Sequence, residues 1–63
     1  MDPKNRTFEI FKGGEWVSAS FEDIKVGDRF RCFEPEGTPT DFGAVFISDG
    51  IDVDNRIRAH YEP

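Results

Sequence analysis

Apolar and polar residues alternate with a period of two in several short runs, the spacing that puts successive side chains on opposite faces of a β-strand. In Thr7-Phe-Glu-Ile-Phe11, Phe8 and Ile10 share one face while Thr7, Glu9 and Phe11 share the other. Lys12-Gly13-Gly14-Glu15 follows, then the β-prone Trp16-Val-Ser-Ala run. Adjacent glycines between two such runs predict a hairpin, because both central residues can take positive φ. Arg29-Phe-Arg-Cys-Phe-Glu34 splits the same way, with Phe30 and Cys32 on one face and Arg29, Arg31 and Phe33 on the other. Arg56-Ile-Arg-Ala-His-Tyr61 predicts the last strand, sending Ile57, Ala59 and Tyr61 inward and Arg56, Arg58 and His60 outward.

The intervening segments read as punctuation. Asp2 to Asn5 is a loose start. Ser20 stands three residues before Asp23, which fits a capping box opening a single helical turn through Ile24. Gly27-Asp28 ends that turn and bends the chain into the next strand, and Pro35 to Asp41, with two prolines and a glycine, forms a loop. Phe42-Gly-Ala-Val-Phe-Ile-Ser48 is the most apolar segment and is expected to be the central strand, with Asp49-Gly50 as the turn after it. Strands recurring every 8 to 12 residues or so predict a mainly β fold: a small antiparallel four- to five-stranded sheet, curled toward a partly open barrel, with one short helical turn. A small α+β arrangement is the alternative, should Ser18 to Val26 form two or more helical turns.

Length sharpens this picture. The 63 residues make one domain, spanning residues 1–63, and a chain this short buries only about 60% of its unfolded surface. Either aromatic burial or a partner must then add stability, and seven Phe, one Trp and one Tyr fit the first option. Cys32 is the sole cysteine, which excludes an intrachain disulfide and a multi-cysteine zinc site and points to a reducing compartment. The opening Met1-Asp2-Pro3 has no basic region followed by an apolar run, and no stretch approaches the roughly 18 apolar residues of a membrane span. The chain reads as a complete cytosolic protein with no membrane association.

Candidate chemistry is sparse. The run Asp49-Gly-Ile-Asp-Val-Asp54-Asn55 has alternating carboxylates of the kind that hold calcium, but a loop from Asp52 would need a glutamate at Pro63, and one from Asp49 a glutamate at His60. No metal site is expected. His60 lies near no second histidine, and Cys32 is in phase with the inward Phe30. With little room for both a core and a substrate cleft, neither an enzyme nor a cofactor is expected.

Charge brings two candidate surfaces. Thirteen acidic residues against eight basic ones give a net charge of −5, which disfavours direct binding to phosphate backbones. On strands, carboxylates at i and i+2 stand about 6.6 Å apart, close to a row of phosphates. Glu34/Glu36 and Asp52/Asp54 have that spacing; with Asp41 and Asp49 they form a candidate acidic surface able to occupy a protein's nucleic-acid groove. The other surface is basic: Arg29/Arg31 and Arg56/Arg58, each projecting from one face of a strand, would cluster with Phe33 and His60 if their strands were neighbours, and could hold phosphate while aromatics stack bases. Cross-strand pairing of these arginines with Glu9, Glu34 or Asp52 is the plainer explanation and is preferred.

The run Phe21 to Pro39, preceded by Glu15-Trp16-Val17, resembles a group of short uncharacterised phage and prophage proteins that share an Ile-Lys-x-Gly-Asp-x-Phe-Arg-x-Phe-Glu-Pro-x-Gly core, matched here by Ile24 to Gly37. The resemblance covers under half of the chain and implies a bacteriophage origin, but it brings no activity with it. Together with small size and acidity it leads to the expectation of a phage- or mobile-element-encoded accessory protein that binds a host protein stoichiometrically in the bacterial cytoplasm. An acidic, nucleic-acid-mimicking inhibitor of host nucleic-acid machinery, such as a CRISPR effector, is the leading form, by analogy. A small β-barrel adaptor for nucleic acid or a virion component, using the arginine face, is the alternative, and a homodimer pairing edge strands is a third possibility.

Overall fold

A computed structural model describes residues 5–63. The loose start expected over Asp2–Asn5 falls outside these residues except for Asn5. Among the described residues five strands form one mainly β sheet: β1 Thr7–Lys12, β2 Glu15–Ala19, β3 Arg29–Phe33, β4 Phe46–Ile51 and β5 Ile57–Tyr61. They lie in the order β2-β1-β3-β4-β5, and every neighbouring pair is antiparallel. Among the described residues the sheet stays open, with β2 and β5 as its outermost strands.

The local predictions for the first half of the chain are met. Gly13 and Gly14 both take positive φ (62° and 84°), the geometry that turns a tight hairpin with the natural strand twist, and β1 pairs β2 from Phe8↔Ala19 to Lys12↔Glu15. Because β2 and β3 both run antiparallel to β1, they point the same way, and the link between them must travel back along the sheet. It does so with a single 3₁₀ turn, Phe21–Asp23, whose Asp23 carboxylate accepts from the Ser20 hydroxyl (3.0 Å) and backbone N–H (3.3 Å). The link delivers Ile24 into the core, and the Lys25–Asp28 turn, closed by Lys25 N–H to the Asp28 carboxylate at 2.9 Å, starts β3. The α+β alternative is thereby set aside.

The core is the inner face of the sheet. Phe8, Ile10, Phe30, Cys32, Phe46 and Ile57 are buried there with Ile24 from the link, and Phe30, at 0% exposure, lies between Phe8 (ring centroids 6.2 Å) and Phe46 (5.5 Å). Ile57 is inward as expected, and Ala59 is half-buried. Tyr61 stacks on Phe46 at 5.2 Å but keeps 61% exposure.

The apolar run Phe42–Ser48 is a correction. The central strand is β3, and β4 begins only at Phe46. To reverse direction between β3 and β4, the chain makes two turns. Glu34 to Gly37 closes the first (Gly37 N–H to Glu34 C=O, 2.8 Å), and Thr40–Gly43 forms a second 3₁₀ turn in which Asp41 and Phe42 have left-handed dihedrals. Thr40 Oγ1 donates to Cys32 C=O at 3.2 Å, tying this loop to the end of β3. Asp49-Gly50 is not a turn either. It is a bulge inside β4, between Ser48 and Gly50, permitted by Gly50 at φ 112°. The hairpin loop lies further on, where Asp52 N–H donates to Arg56 C=O at 2.9 Å.

Candidate functional site

The six candidate carboxylates do not form one surface. The β3–β4 loop enters β4 at Phe46 and carries Glu34, Glu36 and Asp41, whereas the β4–β5 loop leaves from Ile51 and carries Asp52 and Asp54, so the length of β4 separates the two groups. Neither acidic pair has strand spacing. Glu34 and Glu36 sit in the turn closed by Gly37, and Asp52 and Asp54 sit in the hairpin loop. A phosphate-like row is therefore absent at both places, because turn backbone does not hold i and i+2 side chains on one face as a strand does.

Several of these acids also have internal work. Asp52 organises its own loop: Oδ1 accepts the backbone N–H of Asp54 (2.9 Å) and of Arg56 (3.0 Å), and Oδ2 accepts Arg58 Nε at 3.3 Å. The Arg56 N–H bond above all, then that from Asp54 and the Arg58 charge, hold its carboxyl below the usual range. Glu34 pairs with Arg6 at 3.1 Å, and Asp49 meets His60 Nδ1 at 2.9 Å. Glu36, Asp41 and Asp54 remain exposed at loop positions.

Between Asp41 and Gly43 stands the residue that sequence reasoning missed. Phe42 has φ 59° and ψ 30°, Asp41 before it φ 49° and ψ 42°, and Gly43 after it φ 82°. Left-handed backbone costs an ordinary L-residue roughly 1–2 kcal/mol. Phe42 pays this while its ring is wholly exposed, at 107%. Read as the start of an apolar central strand it gave no sign of standing in solvent; only its position after Asp41, with a glycine following, hinted at a turn. Val53, at 100% exposure between Asp52 and Asp54, is a second apolar tip, at the far end of β4.

The outer face of the sheet gathers Arg29 and Arg31 with aromatics, but not with Arg56 and Arg58. β4 lies between β3 and β5, so the four guanidinium groups do not cluster. Instead, Arg31 lies over Trp16 (4.1 Å) and Phe33 (5.7 Å) and pairs with Glu9, its partner across the β1–β3 ladder. Arg29 lies over Phe11 (4.9 Å) and pairs with Glu62 at 2.6 Å. Phe11 packs edge-on against Trp16 at 5.1 Å. The cation–aromatic ladder is built from β1, β2 and β3, and each of its two charges has a carboxylate. Cross-strand pairing thus accounts for Arg31 with Glu9 and Arg58 with Asp52, while Glu34 takes Arg6.

Among the described residues no group of three or more His, Cys, Asp or Glu side chains could hold a metal ion. Cys32 is buried, and burial pushes its thiol pKa up, so it is a packing residue with little thiolate at neutral pH. Among the described residues no helix is long and apolar enough to cross a membrane. Comparison with protein-family models, curated proteins and solved structures finds no match.

Proposed function

We propose that the chain is a phage- or mobile-element-encoded accessory protein that acts by stoichiometric protein binding, as an acidic inhibitor of host nucleic-acid machinery such as a CRISPR effector. The observation that carries the binding role is Phe42, a large apolar side chain held in a strained left-handed conformation and fully in solvent. Burying a phenylalanine is worth about 1.5–3 kcal/mol, and a free protein gains nothing from holding one out in this way. A partner pocket that takes the ring recovers that energy. Asp41 beside Phe42, and Glu36 earlier in the same loop, favour a pocket rimmed by arginine or lysine, as found on proteins that handle nucleic acid. Acidity works in this reading as complementarity around an apolar anchor, rather than as a row of phosphate mimics. The phage setting rests on the Ile24–Gly37 resemblance.

The test is capture of partners from nuclease-treated bacterial lysate with the wild-type chain, Phe42→Ser and Val26→Ser. Val26 is also exposed (74%) but lies in the β2–β3 link. One nucleic-acid-handling protein held by wild type and Val26→Ser and lost by Phe42→Ser supports the proposal; equal capture by all three contradicts it.

The arginine–aromatic ladder supports a second reading, a small adaptor for nucleic acid or a virion component. Glu9 and Glu62 already neutralise Arg31 and Arg29, so this face suits a protein surface better than phosphate. Steeply salt-sensitive DNA or RNA binding in a mobility-shift assay would favour the nucleic-acid form.

A further inference from the structure

The hairpin strand β2 ends the sheet on one side and carries apolar surface there. Lys12 and Glu15 pair across the Gly13-Gly14 turn, and a two-residue hairpin of this kind closes on a hydrogen-bonded pair. Backbone groups alternate sides from that point. Those of Glu15, Val17 and Ala19 therefore bond β1, while those of Trp16 and Ser18 point away from it. Among the described residues no strand pairs with that side of β2. The strand also lacks the devices that blunt an edge: its register with β1 runs without a bulge, it holds no proline and no basic residue, and its one charge, Glu15, stands at the turn. Trp16, Val17 and Ala19 are each only half-buried. Beside the strand, between the hairpin and the β2–β3 link, lies a groove of about 410 Å³ lined by Ile10, Val17 and Ala19 together with Lys12, Lys25 and Asp28.

We propose that β2 is the contact between two copies of this chain, which join antiparallel across a two-fold axis at Val17 into one continuous sheet. The register is self-complementary. Val17 stands opposite the partner's Val17, Trp16 opposite the partner's Ser18, and Glu15 opposite the partner's Ala19. Trp16 and the partner's Ser18 then form a hydrogen-bonded pair that exchanges both bonds, and symmetry repeats it, so the outward backbone groups of both residues are satisfied in both copies. On the inner face the two valines form the close, non-hydrogen-bonded pair, and the two grooves they line meet at the axis. On the outer face the two Trp16 residues take diagonal positions, roughly 7–8 Å apart and within reach of aromatic side chains. Each indole already packs on Phe11 (5.1 Å) and under Arg31 (4.1 Å), so the cation–aromatic ladder of one copy continues into that of the other. Glu15 faces an uncharged residue, so no like-charge pair forms within the ladder. This fit of the strand to itself, apolar to apolar on the inner face and aromatic to aromatic on the outer, selects a second copy as the occupant.

The contact does not rest on Phe42, which sits in the β3–β4 loop. Five residues a side fall below the roughly 1,200 Å² of a standard interface, and the net charge of −5 on each copy opposes association. The dimer should therefore be weak and should strengthen as added salt screens that repulsion.

Sedimentation equilibrium from low micromolar to millimolar concentration, at low and high salt, is the first measurement. The wild-type chain should move from the 7.2 kDa of one copy toward twice that mass, and at lower concentration when salt is high. Ser18→Pro removes the outward N–H and spares the β1 ladder, as proline does on an edge strand. It should remain at the single-chain mass, with circular dichroism confirming that it is folded. Val17→Cys locates the axis without relying on that variant. A non-hydrogen-bonded antiparallel pair has Cα atoms about 4.5 Å apart, within disulfide reach, and the native Cys32 is buried. Mild oxidation should link Val17→Cys into a covalent dimer, while Glu36→Cys in the β3–β4 loop stays single. A wild-type chain that is monomeric at millimolar concentration in high salt, dimerisation of folded Ser18→Pro equal to that of the wild type, or linking of Glu36→Cys as fast as Val17→Cys overturns the proposal.

Discussion

Replacing Phe42 with glycine should make the free protein more stable and its complex weaker. In the free chain, glycine relieves the left-handed strain at φ 59°, worth roughly 1–2 kcal/mol. Against this, glycine gives the unfolded chain more freedom, at about 0.5–1 kcal/mol. Loss of the ring removes no packing, because the side chain is fully exposed. The net expectation is a gain of about 0–1.5 kcal/mol, centred near 0.75; at 4–8 °C per kcal/mol for a domain of this size, the melting temperature rises by up to about 12 °C, with about 3–6 °C as the central value. Urea unfolding and calorimetry read both quantities. Phe42→Asn, which tolerates the same backbone with less added entropy in the unfolded chain, should gain at least as much. In the complex, a buried ring worth about 1.5–3 kcal/mol is lost, which weakens binding by about 10- to 150-fold. A destabilisation of 1 kcal/mol or more on glycine substitution would refute the reasoning, because it would mean that the ring packs in the free protein.

Three other substitutions probe what holds the scaffold. The Asp52 carboxyl is depressed from its ordinary 3.8, so its contribution is present at neutral pH and is lost as pH falls below that value through the folded-state pKa. Asp52→Ala should loosen the β4–β5 loop, seen as faster amide exchange at Asp54 and Arg56, and should flatten the fall in urea midpoint between about pH 5 and pH 2. Arg31→Ala removes two ring contacts and the Glu9 pair; a loss of about 1–2 kcal/mol is expected in urea unfolding, with Arg31→Lys in between because it keeps charge but not the flat stacking. The Cys32 thiol, buried and raised in pKa, should react with a thiol reagent at least about 100-fold more slowly than a free cysteine, with a rate that follows the unfolded fraction as urea is added.

Much of the fold was legible because it is written in local patterns. The alternation Phe8/Ile10 and Phe30/Cys32 marks the buried face of β1 and β3, Gly13-Gly14 marks the hairpin, and Ser20 with Asp23 marks the single turn that follows. The misreadings arise where one local pattern serves two structures. Asp49-Gly50 fits a hairpin turn and equally a bulge, since both want a glycine at positive φ, and the choice falls to the β4–β5 register. An apolar run without period two, Phe42–Ser48, carries no information on where the strand begins; the need to reverse between β3 and β4 moves that start to Phe46 and puts Phe42 in solvent. The acidic pairs and the two Arg-x-Arg runs depend on context that spacing does not carry. Spacing of i and i+2 means one face only on a strand, and two Arg-x-Arg runs meet only if their strands adjoin, which β4 prevents. Alternation puts Phe11 on the face opposite Phe8 and Ile10, and Arg29 and Arg31 on the face opposite Phe30, but their meeting with Trp16 needs β1 to lie between β2 and β3, which alternation does not give.

The most direct test of the binding account is hydrogen–deuterium exchange of the chain alone and in the complex captured from lysate. Protection centred on the β3–β4 loop, from Glu36 through Ala44, with β1 to β3 unchanged, is the predicted result. Protection confined to the outer-face strands, with the Phe42 loop exchanging as it does in the free protein, would contradict it.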